Sequence, residues 1–123
     1  AGGGSNRIGI LGRSVNGSQP TDALVVVRGA SFWGDFNQHI SWSHKGLISI
    51  SDSLLNRFNH SITSINIQAG RAMINNNYFG DFLGNAVLVG AGVEKATVTN
   101  NHLNNNKIDT VTKPTVLVAN NLA

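Results

Sequence analysis

Five segments of this chain repeat one pattern: an alternating apolar strand, an Asn- or Asp-bearing turn, then a bulky apolar residue. Residues 48–55, 72–79, 96–103 and 116–123 carry it clearly, and residues 25–32 carry a weaker copy. The separations between Val27, Ile50, Ile74, Val98 and Val118 are 23, 24, 24 and 20 residues. Periods of this size mark solenoids and arrays, in which each repeat buries its apolar face against its neighbours.

The columns of the repeat decide which solenoid is expected. One column is Val25, Ile48, Ala72, Ala96 and Val116, and the column two residues later is Val27, Ile50, Ile74, Val98 and Val118. Period-two alternation is the mark of a strand. Next comes the column Asp52, Asn76, Asn100 and Asn120, and then the inward-turning Phe32, Leu55, Phe79, Leu103 and Ala123. A second set of strands is read at 36–42, 58–67, 82–89 and 107–111, with Phe36, Phe58 and Phe82 aligned, and Ile40, Ile62 and Ala86 aligned four residues on. At least two strands per coil, each pairing with its counterpart about 4.8 Å away, give an all-β parallel β-helix of about five coils, roughly 20–24 residues each. Residues 23–123 form this body, and residues 1–22 read as an irregular N-terminal segment with at most one partial coil.

Composition narrows the function classes. The 123-residue chain contains no cysteine, which removes disulfides, thiol catalysis and Cys-based zinc sites. Its net charge of +3 comes from nine singly scattered Lys and Arg against six acids. Without a basic cluster, nucleic acid is not an expected partner. No run of 18 apolar residues exists, so neither a spanning helix nor a membrane partner is expected. An ice-binding face is also unsupported, because Thr97-Val98-Thr99 and Thr110-Val111-Thr112 do not recur in the other coils. The last copy stops inside a repeat at Leu122-Ala123 with no cap, so the expectation is a piece of a longer protein or one whose ends are covered by partner chains.

Coils reading Ile-x-Asn-Asn-x-Phe and then Asn-Ala-Val-x-Val, as residues 74–79 and 85–89 do, resemble the right-handed β-helices of the pectate-lyase-like superfamily. The compact, cysteine-free style is most similar to bacteriophage tailspikes and capsular polysaccharide depolymerases. The resemblance covers about residues 23–123. It implies a right-handed coil, in line with the general preference of parallel crossovers. It also implies a homotrimer on a virion or outside the cell, acting on bacterial surface polysaccharide. The outward Val26, Met73 and Leu117, with Leu54, Tyr78 and Leu122 beyond them, read as a stripe that such a trimer would bury. Two other readings stay open: a fragment of a secreted polysaccharide lyase, hydrolase or epimerase, and a purely structural shaft or adhesin module.

The Asn column has a structural reading. Asn76, Asn100 and Asn120 tolerate left-handed backbone angles and donate their amides to the neighbouring coil, with Asn75, Asn77, Asn101 and Asn121 supporting the same bend. Asp52 holds that place in an earlier coil and, while ionised, only accepts. The candidate site is a different bend. Aligning residues 32–36, 55–58 and 79–82 on their bounding apolar residues stacks Asp35, Arg57 and Asp81, with Asn105 continuing the column. Two coils would separate the carboxylates by roughly 9–10 Å, near the upper end of a general acid and base pair on a glycosidic bond. Trp33 beside them offers a stacking face for a sugar ring. Trp33, Asp35, Arg57 and Asp81 are therefore the saccharide-binding candidates, and Asp35 and Asp81 the catalytic ones. Alternating charges on a parallel stack also serve as a plain ion ladder, and an arginine between two carboxylates favours their charged forms, whereas a general acid must carry a proton. No metal or other cofactor is expected, since the acids are too dispersed for calcium and His39, His44, His60 and His102 lack ligand spacing. His39 and His60 fall at similar places after their bends and read as neighbours on a solvated turn.

Overall fold

The computed structural model describes residues 7–13, 23–58 and 60–123. Its thirteen strands are β1 (Ile8–Arg13), β2 (Leu24–Arg28), β3 (Ser31–Phe32), β4 (Gln38–Ser43), β5 (Leu47–Ser51), β6 (Leu54–Asn56) and β7 (Ser61–Ile67), followed by β8 (Gly70–Asn75), β9 (Tyr78–Gly80), β10 (Leu83–Val89), β11 (Val93–Thr99), β12 (Lys107–Thr110) and β13 (Val116–Ala119). They form three parallel sheets, β2-β5-β8-β11-β13, β3-β6-β9 and β1-β4-β7-β10-β12. Each turn of the chain visits the three sheets in order, so the molecule is a three-faced parallel β-solenoid. The short middle face is continued by single bridges from Tyr78 to His102 and from His102 to Leu122.

The winding makes about four turns. Five copies of the first strand delimit four intervals, and counting copies as coils overstates the number by one. Of the expected irregular segment 1–22, residues 8–13 form β1, which pairs with β4 from Ile8–Gln38 to Arg13–Ser43; residues 1–6 and 14–22 lie outside the described residues.

The first face follows the sequence repeat closely. Val27, Ile50, Ile74, Val98 and Val118 stand in one register column, and Ile50, Ile74 and Val98 are wholly buried. Alternation puts these β-branched side chains inward and Ser49, Met73 and Thr97 outward. On the third face the buried column is Ile40, Ile65 and Val87, with Trp42, Ile67 and Val89 beside it. Leu55 and Phe79 close the core from the short face. Each such side chain contributes roughly 1.5–3 kcal/mol by leaving water.

That register corrects the expected alignment. Ile40 pairs with Ile65 rather than Ile62, and Ile65 with Val87 rather than Ala86. Ile65 stands three residues beyond the expected Ile62 and Val87 one beyond the expected Ala86, because the corners before these strands differ in length, with five residues at 33–37, four at 57–60 and two at 81–82. Phe58 is thereby left on the corner and is 71% exposed, while Phe82 is buried. Corners on the outside of a solenoid change length without disturbing the ladders, and a gap-free reading cannot register this.

Candidate functional site

Two corners flank the short face, and their chemistry differs. At the first, between β2 and β3 and their counterparts, every coil uses two residues: 29–30, 52–53, 76–77, 100–101 and 120–121. The leading residue is left-handed throughout, with φ of 65° at Gly29, 53° at Asp52, 61° at Asn76, 57° at Asn100 and 57° at Asn120. The expected left-handed Asn column is therefore present. The amide ladder, however, lies one residue further on. Asn101 Oδ1 accepts from the Asn77 backbone N–H at 3.0 Å and from Asn77 Nδ2 at 3.1 Å, while Asn101 Nδ2 donates to the Ile74 carbonyl at 3.0 Å. Asn121 repeats the arrangement towards Asn101 and Val98. Towards the N-terminus the Ser53 N–H donates to Asn77 Oδ1 at 3.1 Å, and the Ala30 N–H to Ser53 Oγ at 3.1 Å. A left-handed residue throws the next side chain inward, where a buried amide satisfies backbone groups that the turn removes from the sheet. Asn76 stays outside and donates to Asp52 Oδ1 at 2.6 Å.

The second corner, between the short face and the third, carries the candidate residues. It holds five residues at 33–37, four at 57–60 and two at 81–82. Arg57 is 6% exposed and reaches back to the preceding coil: Nη2 lies 2.5 Å from Asp35 Oδ1, and Nη1 donates to the Phe36 carbonyl. Arg7 approaches the other Asp35 oxygen at 3.9 Å. Asp81 is held separately, by a long 3.5 Å contact from Asn56 Nδ2. Arg57 thus pairs with Asp35 and turns its fork inward. A three-member Asp-Arg-Asp ladder does not form.

Asp35 and Asp81 also line different clefts. Trp33, Asp35, Asn56, Arg57, Phe58 and His60 surround one of about 280 Å³. Phe58, Asp81, Phe82, Leu83, Asn104 and Asn105 surround another of about 270 Å³. Phe58 belongs to both. Trp33 is 63% exposed and Leu83 69% exposed, so three large apolar side chains stand in water along one corner. Sequence alignment missed Phe58 and Leu83 by placing Phe36, Phe58 and Phe82 in one column. The Phe58-Asn59-His60 insertion before β7 was the available signal.

His39 is not a neighbour of His60 on a solvated turn. It is fully buried behind Arg57, with Nδ1 2.7 Å from Ser64 Oγ and Nε2 3.1 Å from the Asn56 carbonyl. A carbonyl only accepts, so Nε2 carries the proton and Nδ1 accepts from the serine hydroxyl. Phe32, Phe36 and Phe82 surround the ring at centroid distances of 5.5, 5.7 and 6.1 Å. Burial lowers its pKa to about 4, the Arg57 charge acts in the same direction, and the Asn56 hydrogen bond opposes both.

A wider groove of about 480 Å³ runs along the first corner, past Asp52, Asn76, Asn100, Tyr78 and His102. The Tyr78 and His102 rings meet at a centroid distance of 4.7 Å, tilted by 49°. Most of its lining is the repeated turn itself, which the ladder already explains, and its aromatic exposure is smaller, with Tyr78 at 42%. The outward apolar residues Val26, Met73 and Leu117 are exposed, but register interposes Ser49 and Thr97 between them. The expected stripe is interrupted at every second coil. Among the described residues, no three His, Asp or Glu side chains gather in a metal-binding group. Comparison with known protein families, characterised proteins and solved structures gives no match for this chain.

Proposed function

We propose that this solenoid binds glycan, as a component of the tailspike or tail-fibre type that meets bacterial surface polysaccharide from a virion, in a trimer of identical chains. The observation that carries the reading is the pair of exposed aromatic rings, Trp33 and Phe58, that line one cleft together with the Asp35–Arg57 ion pair. Apolar ring faces held beside a fixed carboxylate suit a sugar, which offers a C–H face and a rim of hydroxyls. Arg57 orients Asp35, and Asp35 accepts from hydroxyls.

Binding is favoured over cleavage. Glycoside hydrolysis needs two carboxyl groups facing one bond, and Asp35 and Asp81 line separate clefts. The test is fluorescence titration of the purified chain with bacterial surface polysaccharides. Trp33 is exposed and Trp42 is 3% exposed, so a saturable change reports on Trp33. Loss of that response in Asp35→Asn, which stays folded but melts at a lower temperature because the buried Arg57 loses its carboxylate partner, is the expected result. No response to any polysaccharide would sink the reading and leave a structural shaft.

A further inference from the structure

The glycan reading leaves one feature of the second corner unexplained: a cleft one coil beyond the Trp33 site, which shares Phe58 with it. Phe58 lines both clefts, with Trp33 and Asp35 on one side and Asp81, Leu83, Asn104 and Asn105 on the other. Successive coils lie about 4.8 Å apart along the axis, a rise comparable with the advance of one pyranose unit in an extended chain. We infer that the two clefts are consecutive subsites for one extended, uncharged glycan lying along the solenoid axis, with Phe58 as the platform shared by adjoining sugar units.

Each subsite offers an apolar face and a polar rim. In the first these are Trp33 and Asp35. In the second they are Leu83 with Asp81 and Asn105, whose φ of 64° and neighbouring Asn104 φ of 50° define a tight left-handed turn at the cleft wall. An exposed hydrophobic side chain is ordinary alone, but Trp33, Phe58 and Leu83 occupy one corner in successive coils, as a stacking surface for a polymer requires. The charge around the clefts selects the class of glycan. Asp35, Asp81 and Arg57 sum to a formal charge of −1, counting one cation against two anions. The cation is already committed to Asp35 and the Phe36 carbonyl. Arg7 contacts Asp35 but lines neither cleft. A uronic or sialic acid unit would therefore meet two carboxylates and no outward cation among the described lining residues, whereas neutral hydroxyls and acetamido groups find acceptors and amide donors.

This inference rests on the glycan reading, and the experiment separates the two. Trp33 fluorescence is titrated with linear oligosaccharides of two to six units, one series of uncharged hexoses and N-acetylhexosamines and one of uronic acids. Uncharged oligomers should bind more tightly as they lengthen past one subsite. Phe58→Ser should weaken both short and long oligomers about tenfold, and Leu83→Ser should weaken long ones severalfold while sparing short ones. Both side chains are exposed, so the melting temperature should hold. Affinity independent of length together with a silent Leu83→Ser would overturn the second subsite and leave single-site binding intact. Tighter binding of the uronic acid series would overturn the uncharged class. Failure of both series, with surface polysaccharides also silent, removes the glycan reading itself.

Discussion

The two corners of the short face solve the same backbone problem in different ways. At the first, every coil spends two residues, places one in the left-handed region and turns the next inward. Its amides satisfy buried carbonyls and N–H groups in adjacent coils, and no coil departs from the plan by more than Ala30 or Ser53 at the inward place. At the second corner the number of residues changes from five to four to two, the polar contacts differ in each coil, and Trp33 and Phe58 face water. A corner under one structural demand repeats. A corner relieved of that demand can vary, and there the chain carries its exposed aromatic rings. Repetition along this solenoid therefore points away from the proposed site.

The sharpest way to break this comparison is to attack the ladder. Asn101→Ala strips donors and acceptors from the Ile74 carbonyl and the Asn77 N–H, both buried, and should cost about 3 kcal/mol in urea unfolding. Asn100→Ala should cost only about 1 kcal/mol, since alanine lacks the tolerance of the left-handed region that asparagine's short polar side chain gives. Equal losses would undo the division of labour between the two asparagines.

Next in size is acid lability behind the second corner. The folded pKa of His39, about 4, lies below its unfolded value of 6.5, so the unfolded chain binds the proton first. The contribution to stability is intact above pH 6.5, declines as pH falls, and is lost through pH 4, amounting to roughly 3 kcal/mol in full. His39→Leu should flatten this acid limb while lowering stability at pH 7, where Ser64 and the Asn56 carbonyl lose their partner. An unchanged limb in urea midpoints at pH 7 and pH 4 would exclude His39 as its source.

Smaller again, Arg57→Met should cost roughly 1–2 kcal/mol, since the Phe36 carbonyl is orphaned while Asp35, with its side chain 34% exposed, recovers water. Smallest for the fold are Trp33→Ala and Phe58→Ser, expected within about 0.5 kcal/mol of the parent in thermal unfolding. Their loss of glycan affinity without loss of stability would sharpen the contrast between a corner that holds the coil together and one that meets a ligand.

Much of the architecture was legible. The column through Val27, Ile50, Ile74, Val98 and Val118 stands in the structure as read, and the left-handed Asn column is where local propensity put it. Of the candidate site, Trp33, Asp35 and Arg57 do come together, whereas Asp81 belongs to the next cleft. The error came from Phe58, whose aromatic character matched Phe36 and Phe82 while its register did not.

By itself the sequence determined a parallel solenoid with a repeating strand and turn, because each coil meets the same local demands of alternation and left-handed φ, and those are written residue by residue. Only the tertiary structure decided that Asn77, Asn101 and Asn121 face inward as the ladder, that Phe58 stands in water, and that His39 is a buried, uncharged partner of Ser64. Those outcomes depend on register between coils more than twenty residues apart, which the ladders set collectively and which corner length shifts without leaving a local trace.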